Sequence, residues 1–89
     1  MRRLLIVALL LLTGCTVDLN TKGICLNDRV QAYVGQVYGD GIARRIRMQS
    51  RAEKLRAIRP GDVVTMEFKS RRVNVAIDEN NRVSRIYCG

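Results

Sequence analysis

Histidine and tryptophan are absent from this chain of 89 residues, and phenylalanine and proline occur once each. The missing histidine removes the side chain that most often serves as a general base. It also weakens any metal-site reading, because the three cysteines include no closely spaced pair to replace it. No glycine-rich phosphate loop is present. Ser50, Ser70 and Ser84 have no evident activating partner, and the adjacent acids Asp78-Glu79 read as hairpin-turn chemistry. No enzymatic activity, cofactor or metal is therefore expected. Tyr33, Tyr38, Phe68 and Tyr87 are scattered, which does not make a base-stacking set. Internal repeats and low-complexity segments are not evident.

What is present begins with a basic start, Met1-Arg2-Arg3, followed by the unbroken apolar run Leu4–Leu12. Nine residues fall short of the roughly 20 that span a bilayer, but they suit the apolar region of a secretory signal peptide. A buried core helix is a poor alternative, since every face of the segment is apolar. Leu12-Thr13-Gly14-Cys15 resembles the bacterial lipobox. That resemblance implies a signal peptide over residues 1–14, cut before Cys15, with lipid attached to the Cys15 thiol. Thr16 stands where an aspartate would favour retention in the inner membrane. The resemblance therefore points to a lipid anchor in the outer membrane, facing the periplasm. Residues 15–24 read as a tether and residues 25–89 as one domain.

If Cys15 carries lipid, Cys25 and Cys88 remain as one pair, in an oxidising compartment where disulfides persist. Closing a loop of about 64 residues stabilises by roughly 4 kcal/mol in the chain-entropy model. That matters in a mature chain of 75 residues (89 less the 14 of the signal) with one phenylalanine and no tryptophan, because small cores seldom suffice alone. The formal net charge is +8. Losing Arg2 and Arg3 with the signal leaves 14 basic against 8 acidic residues, or +6. Such basicity can mean nucleic acid, a cell-wall polymer or an anionic membrane surface. The export signal and the missing aromatic set argue against nucleic acid. Arg44, Arg45 and Arg47 read first as a solvated helix face, and such a face can also rest against anionic lipid.

Along the domain, Asn27-Asp28 is expected to cap a short helical turn through Ala32 or Tyr33, and Gly35 to supply a turn. Gly39-Asp40-Gly41 predicts a helix start with Asp40 as N-cap. Ile42, Ala43 and Ile46 at helical spacing extend the helix over about 40–50. Leu55, Ala57 and Ile58 suggest a short inner strand within Glu53–Ile58. Val73-Asn74-Val75-Ala76-Ile77-Asp78 alternates apolar and polar as a half-buried strand does. A strand at 72–78, a turn at Glu79-Asn80-Asn81 and a last strand at about 82–87 complete a small sheet. The expected class is α+β, one helix packed on a small mixed sheet.

The stretch from Arg59 to Asn74 organises the rest. Pro60-Gly61 is a turn signal, and Val63 to Phe68 favours an extended backbone. One reading is an exposed extended loop over 60–71, held by the strand that leaves it; a loop that long in so short a chain has a function or is disordered. The other is an ordinary strand and hairpin, with Thr65 and Glu67 as strand residues, Met66 as a core filler and Arg72 as a surface charge.

Pro60-Gly61, Val64-Thr65-Met66-Glu67, Arg72-Val73-Asn74-Val75, Asp78, Arg82-Val83 and Cys88-Gly89 together resemble the peptidase inhibitor seventy-eight family, the fungal elastase inhibitor type. The segment is more distantly similar to the potato inhibitor I and eglin family. Val34-Gly35-Gln36 matches a short motif that both groups carry before their helix. The resemblance spans roughly residues 25–89. It implies a potato inhibitor I-like fold and inhibition of a serine protease through a reactive loop at Val64, Thr65, Met66, Glu67 and Phe68. The reactive bond would be Met66–Glu67. Met66, long, flexible and apolar, would enter a hydrophobic primary pocket of the chymotrypsin, subtilisin or elastase type. Thr65 and Glu67 would brace the loop by hydrogen bonding. Arg72 would reach from its strand to loop carbonyls and to the acid, and Asn74 would add support. The chain departs from the pattern in places. Glu67 stands where the fungal type usually has Asp, and Phe68 where it has Tyr. Asn74 stands where the eglin group has a second arginine, and Arg71 adds unusual charge. The alternative is a non-inhibitory basic envelope lipoprotein that binds a protein partner or an anionic surface.

Overall fold

A computed structural model describes residues 23–89. The expected signal peptide, the acylation site Cys15 and all but the end of the tether lie outside the described residues. The elements run in the order 3-10 helix Asn27–Tyr33, α1 Asp40–Ser50, β1 Lys54–Ile58, β2 Arg72–Ile77 and β3 Val83–Cys88. The α+β expectation is met, with two helices rather than one set against a three-stranded sheet.

The first helix takes the tighter 3-10 form. Leu26 is its N-cap, and no side chain bonds there, so Asn27 and Asp28 do not cap it as expected. At α1 the N-cap is the extended Gly39, and Asp40 is the first helical residue, again without a side-chain cap bond. Asp40 instead places negative charge at the positive end of the helix dipole, which is also stabilising. One turn apart, Ile42 and Ile46 face the core, Ile46 fully buried, while Arg44, Arg45 and Arg47 are exposed as the spacing predicted. Arg51 closes the helix in the left-handed conformation at φ 66, donating its N–H to Met48 O (3.1 Å).

β2 lies in the centre of the sheet, parallel to β1 and antiparallel to β3. β1 is therefore an edge strand, not the inner strand expected, and it begins at Lys54. β2 stops at Ile77, and β3 runs one residue later than predicted. Val73, Val75 and Ile77 alternate onto one face of β2 and pack with Val30, Ile46, Val83 and Ile86. Each such side chain contributes about 1.5–3 kcal/mol when fully buried. Cys25 joins Cys88 at the end of β3, with the Cα atoms 5.7 Å apart.

The parallel pairing of β1 with β2 dictates the length of the connection between them. An antiparallel pair can be closed by two residues, but a parallel pair needs a crossover of about a dozen or more, usually a helix. Here residues 59–71 make that crossover with neither helix nor strand. The strand-and-hairpin alternative for Val63–Phe68 is thereby overturned, because among the described residues that run pairs with no strand. Among the described residues no helix is long and apolar enough to cross a membrane.

Candidate functional site

The crossover is clamped at both ends by its own chemistry. At its start, Asp62 N–H donates to Arg59 O (3.0 Å), and Arg59 N–H to the Asp62 carboxylate (2.8 Å). Pro60 presets the second position of this turn, and Gly61, at φ 88, takes a third position that L side chains resist. The Arg59 guanidinium sits 5.6 Å from the Tyr38 ring centroid. At its end, Arg72 N–H donates to Lys69 O (3.2 Å) and Cys25 N–H to Ser70 O (2.9 Å). Arg71 O accepts from Glu53 N–H (2.8 Å) and Lys54 N–H (3.1 Å).

Between the clamps the segment turns outward. Val63 is 97%, Met66 94% and Phe68 72% exposed, while Val64 is half-buried and Thr65 and Glu67 are exposed. Met66 is thus no core filler. Phe68 lies over the last residue: a Cβ added at Gly89 would come within 3.1 Å of its ring.

Support comes from the face of β2 that turns away from the core. Arg72 is only 8% exposed and Asn74 is fully buried, so Arg72 is not a surface charge. Arg72 Nη2 donates to Glu67 O (3.0 Å) and its Nε to Gly89 O (2.6 Å). Its Nη1 lies 3.7 Å from Glu67 Oε2, a long ion pair to a half-exposed acid that adds little. The backbone carbonyl, more than the carboxylate, is what Arg72 holds. The side-chain hydrogen bonds of Asn74 do not go to the loop. Its Nδ2 donates to Gly89 O (2.9 Å), and its Oδ1 accepts from Arg56 Nε (2.7 Å).

Arg56 was not singled out in the sequence. It sits in β1 level with Asn74, and its Nη1 donates to Thr65 Oγ1 (3.1 Å). The available signal was its place between Leu55 and Ala57: the alternation turns Arg56 away from the apolar face, toward the side that carries Arg72 and Asn74. Hydrogen bonding from the Thr65 hydroxyl, then from its own backbone N–H, holds the Glu67 carboxyl below its ordinary value of 4.5, with a smaller contribution from the Arg72 charge. Arg56 thus reaches the loop at Thr65, one residue before Met66, as Arg72 reaches it at Glu67, one residue after. Arg71 stays exposed at the margin, its Nη1 close to Gly23. The expected disulfide pair is formed. The expected acylation at Cys15 lies outside the described residues.

A family model described as the Peptidase inhibitor I78 family matches residues 25–89. Over 58 residues the chain is 33% identical to the elastase inhibitor AFLEI of Aspergillus flavus, covering 65% of this chain and 79% of that protein. It is likewise 33% identical to the elastase inhibitor AFUEI of Aspergillus fumigatus over 65% of this chain, spanning 62% of that longer protein. The crystal structure of AFUEI superposes with a TM-score of 0.58 at 30% identity, over 72% of this chain and 88% of that one. With the family match running from the first bridged cysteine through the sheet to Gly89, the chain belongs to the peptidase inhibitor I78 family, whose members inhibit peptidases and are not themselves enzymes.

Proposed function

We propose that the protein inhibits serine-type endopeptidases by presenting residues 64–68 as a substrate, with Met66–Glu67 as the bond offered to the protease. One observation carries this reading. Met66 stands 94% exposed between two neighbours whose positions are set from the sheet, Thr65 by Arg56 and Glu67 by Arg72. Proteases bind their substrates as extended strands, through backbone pairing and a side-chain pocket. A segment already fixed in such a shape loses little entropy on binding. Methionine suits a hydrophobic primary pocket, and the elastase inhibitors among the relatives favour an elastase-type target. The Arg72 contact to Glu67 O is also what supports the likeness to the eglin group.

The same proposal places the inhibitor in a bacterial envelope. Residues 1–14 direct export, Cys15 carries lipid, residues 15–24 tether the domain, and the outer membrane holds it facing the periplasm. This part rests on the sequence pattern around Leu12–Cys15. Labelled fatty acid should appear on the wild type and vanish in Cys15→Ser.

The deciding experiment titrates the purified protein against pancreatic elastase, chymotrypsin and subtilisin, with Met66→Asp as control. Wild type should inhibit at least one and the variant none. No inhibition of any of the three at micromolar concentration sinks the proposal. A second reading, a non-inhibitory lipoprotein resting on an anionic surface, is favoured by the exposed Arg44, Arg45 and Arg47 of α1. Salt-sensitive binding to anionic vesicles without protease inhibition would support it.

A further inference from the structure

We infer that Arg56 is a positioning residue of the loop, carrying the order of the buried sheet through Asn74 to Thr65, on the opposite side of Met66 from Arg72. The parallel register sets Arg56 beside Asn74. Asn74 is fully buried and uses both ends of its amide: Oδ1 accepts from Arg56 Nε, while Nδ2 donates to Gly89 O. Neither an aspartate nor an apolar residue can do both. With Nε fixed, the rigid guanidinium plane aims Nη1 at Thr65 Oγ1. Little rotamer freedom remains to be lost in that second bond.

Two supports therefore start from one acceptor. Gly89 O receives Asn74 Nδ2 and Arg72 Nε. One branch runs through Asn74 and Arg56 to Thr65, and the other through Arg72 to Glu67 O. The two branches reach the chain on either side of Met66. A second loop-supporting cation is thus present although Asn74 is not an arginine; it is supplied by the neighbouring strand.

The consequence for inhibition rests on the proposed role of Met66–Glu67 as the bond offered to the protease. Hydrolysis of the Met66–Glu67 amide consumes one water and leaves a Met66 carboxylate and a Glu67 amine; resynthesis expels that water. With Thr65 held by Arg56 and Glu67 by Arg72, the two new ends stay together and the amine re-attacks. Without Arg56 the Met66 end swings free, and the inhibitor becomes a substrate.

The test uses the purified protein, wild type beside Arg56→Ala, Thr65→Val, Thr65→Ser and the Arg56→Ala/Thr65→Val double variant. Two readouts are taken. Amide relaxation reports the order of residues 64–68 without any protease, and mass spectrometry follows clipping after Met66 by the inhibited enzyme. Arg56→Ala and Thr65→Val should each lower the order parameters at 64–66 from about 0.85 to below about 0.6. Each should speed clipping by about tenfold or more, the usual effect of losing one charged hydrogen bond. The double variant should be no worse than either single one, and Thr65→Ser, which keeps the hydroxyl, should hold the loop order parameters near the wild-type value. Loop amides as rigid in Arg56→Ala as in wild type, or effects that add in the double variant, would overturn the assignment. If wild type inhibits no protease, the functional proposal fails, while the relaxation measurement still decides Arg56.

Discussion

Replacing Arg72 with methionine separates what this side chain does for the loop from what it does for the fold. The variant keeps an apolar stem in the space but removes the guanidinium. The bond from Nη2 to Glu67 O (3.0 Å) disappears; a hydrogen bond to a charged group contributes about 1.5–3 kcal/mol. The contact to the Glu67 carboxylate, at 3.7 Å and half-exposed, adds little. Gly89 O is not orphaned, because Asn74 Nδ2 still donates to it at 2.9 Å. Removing one member of a buried ion pair is costly when the other charge stays buried, but here the partner carboxylate of Glu67 is half-exposed, so the cost to folding is small. The expected outcome is a loss of roughly 10- to 150-fold in the inhibition constant for an elastase-type protease. The urea midpoint should move by no more than about 1 kcal/mol of unfolding free energy. Arg72→Lys should fall between, since one ammonium cannot replace a fork that reaches Gly89 and Glu67 together. Inhibition constants come from progress curves, and stability from urea titration of the same samples. If Arg72→Met inhibits within threefold of wild type, or loses as much folding energy as inhibition, the arginine is not a loop support.

Met66→Asp should abolish inhibition, by about hundredfold or more, because an acid would have to enter an apolar pocket; the urea midpoint should stay put, as the side chain is 94% exposed. Replacing Cys25 and Cys88 with alanine removes the bridge across a separation of 63 residues and should cost about 4 kcal/mol in urea unfolding. The depressed Glu67 pKa means that its charged-state contacts are fully formed above 4.5 and are lost only as the pH falls through a lower value; carboxyl NMR should find that lower midpoint, and a midpoint at or above 4.5 contradicts the Thr65 contact. Arg51→Gly should raise stability by about 0.5–1 kcal/mol in urea titration, since Arg51 holds a left-handed φ of 66 at the end of α1.

Much of the framework was legible in the sequence. The Ile42–Ile46 spacing fixed α1 to within a residue, and the alternation from Val73 to Ile77 gave β2. The odd cysteine count led to the Cys25–Cys88 pair, which the structure contains. The capping errors share one cause: an acid next to a helix start looks the same in sequence whether it caps through its side chain or sits in the first turn beside the dipole, as Asp40 does. Strand order was not legible, since apolar patterning says which face is buried but not which neighbour pairs. Arg56 was missed for that reason. A lone arginine in a short alternating run looks like the wet side of an edge strand until the parallel register brings it beside Asn74. The role of Asn74 was half legible: support was expected, but its hydrogen bonds reach the loop only through Arg56, an intermediary from another strand.

The topology explains why a small domain accepts buried polar groups in its central strand. A parallel pair forces a long crossover, and without a helix that crossover exposes Val63, Met66 and Phe68 while satisfying none of its own backbone groups between the clamps through regular structure. Something beneath must impose a shape, and among the described residues the non-core face of β1 and β2 supplies the bonds that do so. Arg72, Asn74 and Arg56 occupy it, at the expense of apolar burial on that face. The disulfide meets this loss at the right place. Cys88 precedes Gly89, whose N–H donates to Arg72 O (3.0 Å) and whose carbonyl receives both support branches. Bridging Cys88 to Cys25 therefore stabilises the fold and also fixes the acceptor from which the loop is held. The same bond that compensates for a polar central strand keeps that strand's polar groups in position.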